Sequence, residues 1–304
     1  MLKTIIWSFI SSLLLYMHLT ASAGSIPNFE GTDAIYGKDD RSFIDKKFNV
    51  KMLELSKSIA LIVSKDAVQK NFLYSLIKGQ VLSDTTGINL CLDEVFSNHH
   101  TVYGCTGFLI GEDLLASAGH CFMNQSDCDN KLIAFNVQTR NETKNGYRIF
   151  NKNIYECSEI INHVFDDDGI QDYSVIRLKK KASGIKPLKL RRKGQIATSD
   201  QVFMIGHPLG LPLVKTTNAI VNDISEAHSF KTTLDSFEGN SGAPVFNSKT
   251  FEVEGVLVRG EEDFLQDQAH QCYRYQVYDQ GTIDSPSIRG EGVNRISDLL
   301  PFLK

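Results

Sequence analysis

Beyond its first two dozen residues the chain has no apolar stretch long enough to cross a bilayer, no C-x-x-C pair, no compact Cys/His cluster, no internal repeat and no low-complexity tract. Each absence removes a class of protein. A spanning helix needs ~20 predominantly apolar residues, and structural zinc needs thiolates and imidazoles at short spacings. Neither a membrane domain nor a metal site is therefore expected. A surplus of one charge sign is missing too: a formal net charge of −4 over 304 residues is far from the basic field that nucleic-acid binding requires. The locally basic stretch from Lys179-Lys180-Lys181 to Arg191-Arg192-Lys193 reads as a solvated connection between two halves. No nucleic-acid partner and no cofactor are expected.

What is present begins with an export signal. Met1-Leu2-Lys3 precedes an apolar run from Ile5 to Leu19 and an Ala21-Ser22-Ala23 ending that suits signal peptidase. Cleavage after Ala23 is expected, giving a secreted (extracellular or periplasmic) monomer with no membrane attachment. Residues 24–34 are polar and turn-rich and read as a pro-segment. Six cysteines lie downstream of the signal, Cys91, Cys105, Cys121, Cys128, Cys157 and Cys272, an even number in an oxidising compartment, so disulfides are expected. Spacing alone leaves their pairing open.

Local patterns favour strands. The runs 101–110, 173–178, 201–205 and 253–258 are short, rich in β-branched residues and bounded by Gly, Asp or Pro. They predict an all-β protein of barrel or sandwich type. Leu53 to Leu82 is apolar at both helical and strand-like spacings and stays ambiguous between a first strand and a helical insertion. The tail Arg295-Ile296-Ser297-Asp298-Leu299-Leu300 predicts a short closing helix that Pro301 ends or kinks.

Two segments more than a hundred residues apart supply chemistry: Ser117-Ala118-Gly119-His120-Cys121 and Gly239-Asn240-Ser241-Gly242-Ala243-Pro244. A serine hydroxyl is a useful nucleophile at neutral pH only if a base takes its proton, and an imidazole with a pKa of about 6.5 suits that work. His120 follows the strand 114–117 and sits at a barrel mouth. Asp172 opens the strand that follows it, where its carboxylate can orient an imidazole. The glycines around Ser241 let the Gly239 and Ser241 amides converge on one point, as an oxyanion hole requires.

These words, in the order His, Asp, Ser, resemble trypsin-like serine proteases, and specifically the bacterial glutamyl-endopeptidase-like branch. Asp172-Tyr173-Ser174-Val175-Ile176-Arg177-Leu178 is similar to the family's D-x-A-L-I-x-L, and Gly239 to Phe246 to its G-N-S-G-x-P-V-F. Tyr36-Gly37-Lys38-Asp39-Asp40-Arg41 resembles the start of the mature chain in that branch. The resemblance implies a chymotrypsin-like double β-barrel over residues 35–304, with barrels roughly at 50–182 and 183–304. It also implies a Cys105–Cys121 disulfide, a polypeptide substrate, and the catalytic set His120, Asp172 and Ser241. Where digestive relatives carry an aspartate that pairs with the new N-terminus, this chain has Asn240, so activation through a separate pro-segment is expected.

Specificity is read from the pocket positions Asp235, Ser236, Glu238, Leu257, Val258, Arg259 and Gly260. Glutamate preference in the bacterial branch resembles a pocket with a histidine where this chain has Leu257, which argues against a buried acidic side chain here. Asp235-Ser236-Phe237-Glu238-Gly239-Asn240-Ser241 resembles the D-S-C-Q-G-D-S of trypsins, so Asp235 at a pocket floor would select Arg or Lys. The alternative is that Asp235 turns away and caps a loop. Asp166-Asp167-Asp168 and His99-His100 read as solvated surface groups, and Asn124 and Asn141 fit glycosylation sequons. Two rivals stay open. One is an inactive binding protein on the same fold; the other is an α/β-hydrolase esterase using a late histidine such as His270, although Ala243 breaks its G-x-S-x-G word.

Overall fold

The computed structural model describes residues 34–44, 50–84, 88–166, 171–279 and 290–303. The expected signal peptide 1–23 and most of the expected pro-segment lie outside them. Twelve strands form two closed barrels. The first contains β1 (Ile59–Ser64), β2 (Gly104–Leu109), β3 (Leu114–Ser117), β4 (Lys131–Phe135), β5 (Ile154–Phe165) and β6 (Asp172–Leu178). Their order is β4-β5-β6-β3-β2-β1, closed by antiparallel pairing of β1 with β4. The second contains β7 (Gln201–Gly206), β8 (Val214–Asp223), β9 (Ser229–Thr232), β10 (Pro244–Asn247), β11 (Val253–Arg259) and β12 (Glu291–Arg295). It runs β7-β10-β11-β12-β9-β8 and closes through β7 with β8.

Side-chain alternation explains both rings. In β7, Val202 and Met204 point into the second barrel with Val245, Leu257 and Val293, while Phe203 and Ile205 face a core shared with the first barrel. Strand β1 has apolar residues on both faces because both are covered. Its Ile62 joins the shared core, and Leu61 and Val63 pack under an auxiliary sheet through Tyr147 and Ile149. The ambiguous segment 53–82 is thus several elements in succession. It spans the end of helix α1 (Val50–Ser56), strand β1, and a hairpin of Val68–Lys70 and Tyr74–Lys78.

An N-terminal arm wraps the second barrel before the chain enters the first. Ile35–Tyr36 pairs in parallel with Val277–Tyr278, and Phe43 pairs with Val214 of β8. Ala34 is already buried, and its carbonyl accepts the Ser236 N–H at 3.1 Å, so the last residue of the expected pro-segment belongs to the folded arm. The closing segment Ile296–Phe302 is a short 3-10 helix, as the expectation of a closing helix had it, with Pro301 inside it. The tighter helix accommodates a residue lacking an N–H in its last turn. Three disulfides use all six cysteines: Cys105–Cys121 as expected, Cys128–Cys157 within the first barrel, and Cys91–Cys272 across 181 residues of chain.

Candidate active site

The site lies where the two barrels meet. Strand β6 begins at Asp172, which is 4 % exposed, and its carboxylate takes two hydrogen bonds from one residue. The His120 backbone N–H donates to Oδ1 at 2.9 Å, and His120 Nδ1 lies 2.6 Å from Oδ2. An imidazole that donates from Nδ1 to this carboxylate would present Nε2 as an acceptor. Gly119 makes the approach feasible, since a Cβ there would lie 2.1 Å from the Val164 carbonyl oxygen and 2.9 Å from Asp172 Oδ1. The Asp172 backbone N–H donates to Oδ1 of Asn294, a fully buried residue of β12, at 2.7 Å, which ties the start of β6 to the second barrel.

Ser241 sits on the loop before β10, between strands of both barrels. Its carbonyl accepts the Thr106 N–H of β2 at 2.9 Å, and the next amide, Gly242 N–H, donates to the Leu257 carbonyl of β11 at 2.7 Å. The Cys105–Cys121 disulfide bridges the two chemical groups: a His120 ring nitrogen lies within 4.8 Å of both sulfurs, and Cys121 Sγ is 3.8 Å from the Ser241 carbonyl oxygen. Both sulfurs are oxidised, so this cluster offers no thiolate to a metal. The Ser241 hydroxyl makes no hydrogen bond among the described residues, and bonds of this kind commonly tighten only when substrate is bound.

The 238–239 peptide is held so that its amide points away from its anchors. Leu209 N–H donates to the Glu238 carbonyl, the Glu238 N–H donates to Asp263 Oδ2 at 3.0 Å, and Thr106 Oγ1 donates to the Gly239 carbonyl at 2.8 Å. In a trans peptide the N–H opposes the C=O, so anchoring the Glu238 oxygen on Leu209 aims the Gly239 N–H to the other side. The Gly239 and Ser241 amides have no acceptor among the described residues. Gly239 has φ +91°, and a Cβ there would press on the His207 carbonyl at 2.7 Å. His207 itself is fully buried, donates from Nδ1 to the Leu211 carbonyl at 2.8 Å, and is pushed by burial down to about 4, so it is neutral. Neither Asp263 nor His207 carries a sequence signal that marks it.

The expected pocket set is only partly brought together. Ser236 is fully buried, and Leu257 packs into the second-barrel core with Val245 and Val293. Val258 faces the shared core, Gly260 is buried, and Arg259 lies across Gly292 of the neighbouring strand. Asp235 takes the second of the two orientations considered for it. Its Oδ1 accepts the Tyr36 N–H at 2.8 Å and its Oδ2 the Asp40 N–H at 3.1 Å, so the carboxylate faces the N-terminal arm and caps it. Burial foremost, and then the charges of Asp40 and Asp39, push Asp235 up to about 7 against those two bonds. The buried Arg41 completes the dock, stacked 4.2 Å from the Phe237 and Tyr275 ring centroids and held by both oxygens of Asp39. The Asp-Asp-Arg word of the arm was the signal for it.

Residues expected at the surface or in the rival site also find places. His99 and His100 each bond through Nδ1 to Glu142, at 2.8 and 2.9 Å, and His100 is buried rather than at the surface as expected. His270 pairs with Asp267 on an exposed hairpin, without contact to Ser241. Asn124 caps helix α2 (Gln125–Asn130), and Asn141 accepts the Gln138 N–H. Asp166 accepts the Gln171 N–H, while Asp167 and Asp168 lie outside the described residues.

Known proteins give this arrangement its class. The model of the trypsin-like peptidase domain matches residues 105–256, half of the chain, and the protein belongs to that family of serine-type endopeptidases. No curated protein matches it in sequence. Among solved structures, a Glu endopeptidase crystallised with MPD is 13 % identical with a TM-score of 0.51, covering 88 % of this chain and 96 % of that one. It shows the same fold at an identity too low to transfer more. A serine endoprotease from Yersinia pestis, also 13 % identical, is a weaker likeness, with a TM-score of 0.44 over 71 % of this chain and 58 % of the other. No described helix is long and apolar enough to cross a membrane.

Proposed function

We propose that this protein is exported through residues 1–23 and acts as a monomeric endopeptidase of the His-Asp-Ser type, without cofactor. In this reading Ser241 Oγ attacks the scissile carbonyl carbon while its proton passes to His120 Nε2. The resulting oxyanion is held by the Gly239 and Ser241 amides. Collapse breaks the C–N bond as His120 returns the proton to the departing amine, and a water activated by the same imidazole releases the acyl group. Asp172 orients the ring and stabilises its cation. The observation that carries the reading is the double grip of Asp172 on the His120 N–H and Nδ1 beside the Ser241 loop.

On the acyl side, Asp235 is committed to the arm, so a preference for Arg or Lys has no remaining anion of its own at that position. Cleavage of a mixed peptide library by the secreted protein, read by mass spectrometry beside Ser241→Ala, tests both parts. Cuts that vanish in Ser241→Ala and are not concentrated after Arg or Lys are expected. Cuts unaffected by Ser241→Ala would remove the triad reading. No cutting at all, with no phosphonate labelling of Ser241, would make the chain a binding protein on this fold.

A further inference from the structure

Between β1 and β2 the chain makes a long excursion, residues 65–103, that no barrel needs. Its hairpin of Val68–Lys70 and Tyr74–Lys78 pairs with Gly146–Phe150 and, through it, with Glu142–Thr143, forming a four-stranded sheet. One face is spent on the first barrel, where Ile77, Tyr147 and Ile149 are buried. The other face is uncovered and carries aromatic rings among polar and cationic side chains. Tyr74 stands opposite Phe150 in register, at 38 and 57 % exposure, and the turn adds Phe72 at 95 %. This tip is pinned in place: Asn151 Nδ2 donates to the carbonyls of Asn71 and Phe72, and Asn151 N–H to that of Leu73.

Cations accompany the aromatic strip. Arg148 lies 5.2 Å over the Tyr74 ring and faces Leu76 in register, and Lys78 ends the same strand. Neither has a carboxylate within 4.0 Å among the described residues, whereas most cations of the basic run further along are matched, as in Lys179 with Glu156, Lys181 with Glu112 and Arg191 with Glu254. The strand leads to the site. Lys78, Gly79 and Gln80 line a cavity of about 520 Å³ that Val102, Leu209 and Gly239 also line. The carboxylate lining it, Glu238, accepts a hydrogen bond from the Tyr103 hydroxyl. Tyr103 and Gly104, at the start of β2, also line this cavity, and no residue of the expected pocket strand β11 does.

We propose that the Val68–Lys70 and Tyr74–Lys78 hairpin and the Gly146–Phe150 strand form a recognition surface for the leaving-group side of an extended polypeptide substrate, selecting acidic residues together with large apolar ones. The inference rests on the peptidase reading. Unmatched cations select the acidic component, the exposed rings select the apolar one, and continuity with the Gly239 cavity sets the direction in which the substrate leaves.

The test is the peptide-library digest scored on residues downstream of each cut, for the wild-type protein, Arg148→Glu and Phe72→Ser/Phe150→Ser. Downstream Asp and Glu are expected to be enriched in wild type and to lose about fivefold of that enrichment in Arg148→Glu, an effect a surface cation of this kind supports. Large apolar residues lose a similar factor in the Phe variant. Hydrolysis of p-nitrophenyl acetate, which has no peptide leaving group, and phosphonate labelling of Ser241 stay within twofold of wild type, which also reports correct folding. A wild-type profile with no downstream preference, or one that the variants leave unchanged, overturns the proposal while labelling keeps the peptidase reading intact. Absence of labelling in wild type would remove that reading and the proposal with it.

Discussion

Replacing Asp235 by asparagine keeps the shape of the arm's anchor and removes its charge. In the native protein the carboxyl is 4 % exposed and holds its proton up to about pH 7, while in the unfolded chain it ionises near 3.8. The groups facing it are the Tyr36 and Asp40 amides, the Asp39 and Asp40 carboxylates, and the buried Arg41 guanidinium. Desolvation is the largest of these influences and favours the neutral form. The sign follows from proton counting. Between pH 4 and 7 the native state binds a proton that the unfolded state has released, so stability contributed by this group is complete below 3.8 and is lost as pH rises through 7. At 1.36 kcal/mol for each pKa unit the span amounts to about 4 kcal/mol.

Asp235→Asn has no such dependence. Urea unfolding of both proteins with disulfides intact, followed by far-UV circular dichroism from pH 4 to 8, should therefore show the wild type losing roughly 4 kcal/mol relative to the variant as pH rises. Every other titrating group is common to the two chains and drops out of the difference. A flat difference would refute the buried anchor. The same variant separates the two roles considered for Asp235: a pocket-floor aspartate would lose any Arg/Lys preference on substitution, whereas an arm anchor leaves the distribution of cuts unchanged.

Asp172→Asn should lower kcat/KM on a peptide substrate by about 10⁴ while phosphonate-free thermal unfolding is nearly unchanged, because the amide favours the wrong imidazole tautomer. A loss of less than tenfold would deny Asp172 that role. Gly242→Ala places a Cβ 2.1 Å from the Thr106 carbonyl oxygen and 2.3 Å from Ser117 Oγ at φ +90°, so it should abolish labelling of Ser241 and lower the melting temperature. His207→Asn should be less acid-labile than wild type. A buried imidazole held down to about 4 stays neutral while the unfolded chain gains a proton below 6.5, and stability is lost as pH falls through that window, by about 3 kcal/mol. Urea midpoints that move in parallel from pH 7 to 4 would contradict it.

The parts legible in the sequence are those whose signal is local. Strand β6 could be read because Asp172 opens a run whose residues all serve one strand, and the Gly239 to Pro244 word could be read because its turn needs small residues at adjacent positions. Strand β1 announced itself less clearly: a run covered on both faces has no alternation, and helix α1 and the hairpin adjoin it without a break. What could not be read depends on partners far away in sequence. Cys91 meets Cys272, Asp172 meets Asn294, and the Glu238-Gly239 segment leans on Asp263 and His207; no spacing rule connects any of these.

Asp235 shows why a correct motif can still mislead. It keeps the six-residue distance to Ser241 that made it resemble a pocket aspartate, and spacing along the chain says nothing about which side of the loop the carboxylate faces. That direction is decided by what packs behind the loop. Here Phe237 stands where the trypsin word has cysteine, Arg41 stacks on its ring, and Tyr36 and Asp40 bring two amide donors to the carboxylate from 199 and 195 residues away. A half-occupied buried carboxylate would be costly to leave facing a pocket when two donors lie behind it. The Tyr36-Gly37-Lys38-Asp39-Asp40-Arg41 word and the Asp235-Ser236-Phe237 word are therefore two halves of one structural device. Loss of either half should be felt at Gly239, because Asp235 and Gly239 are four residues apart along one continuous loop.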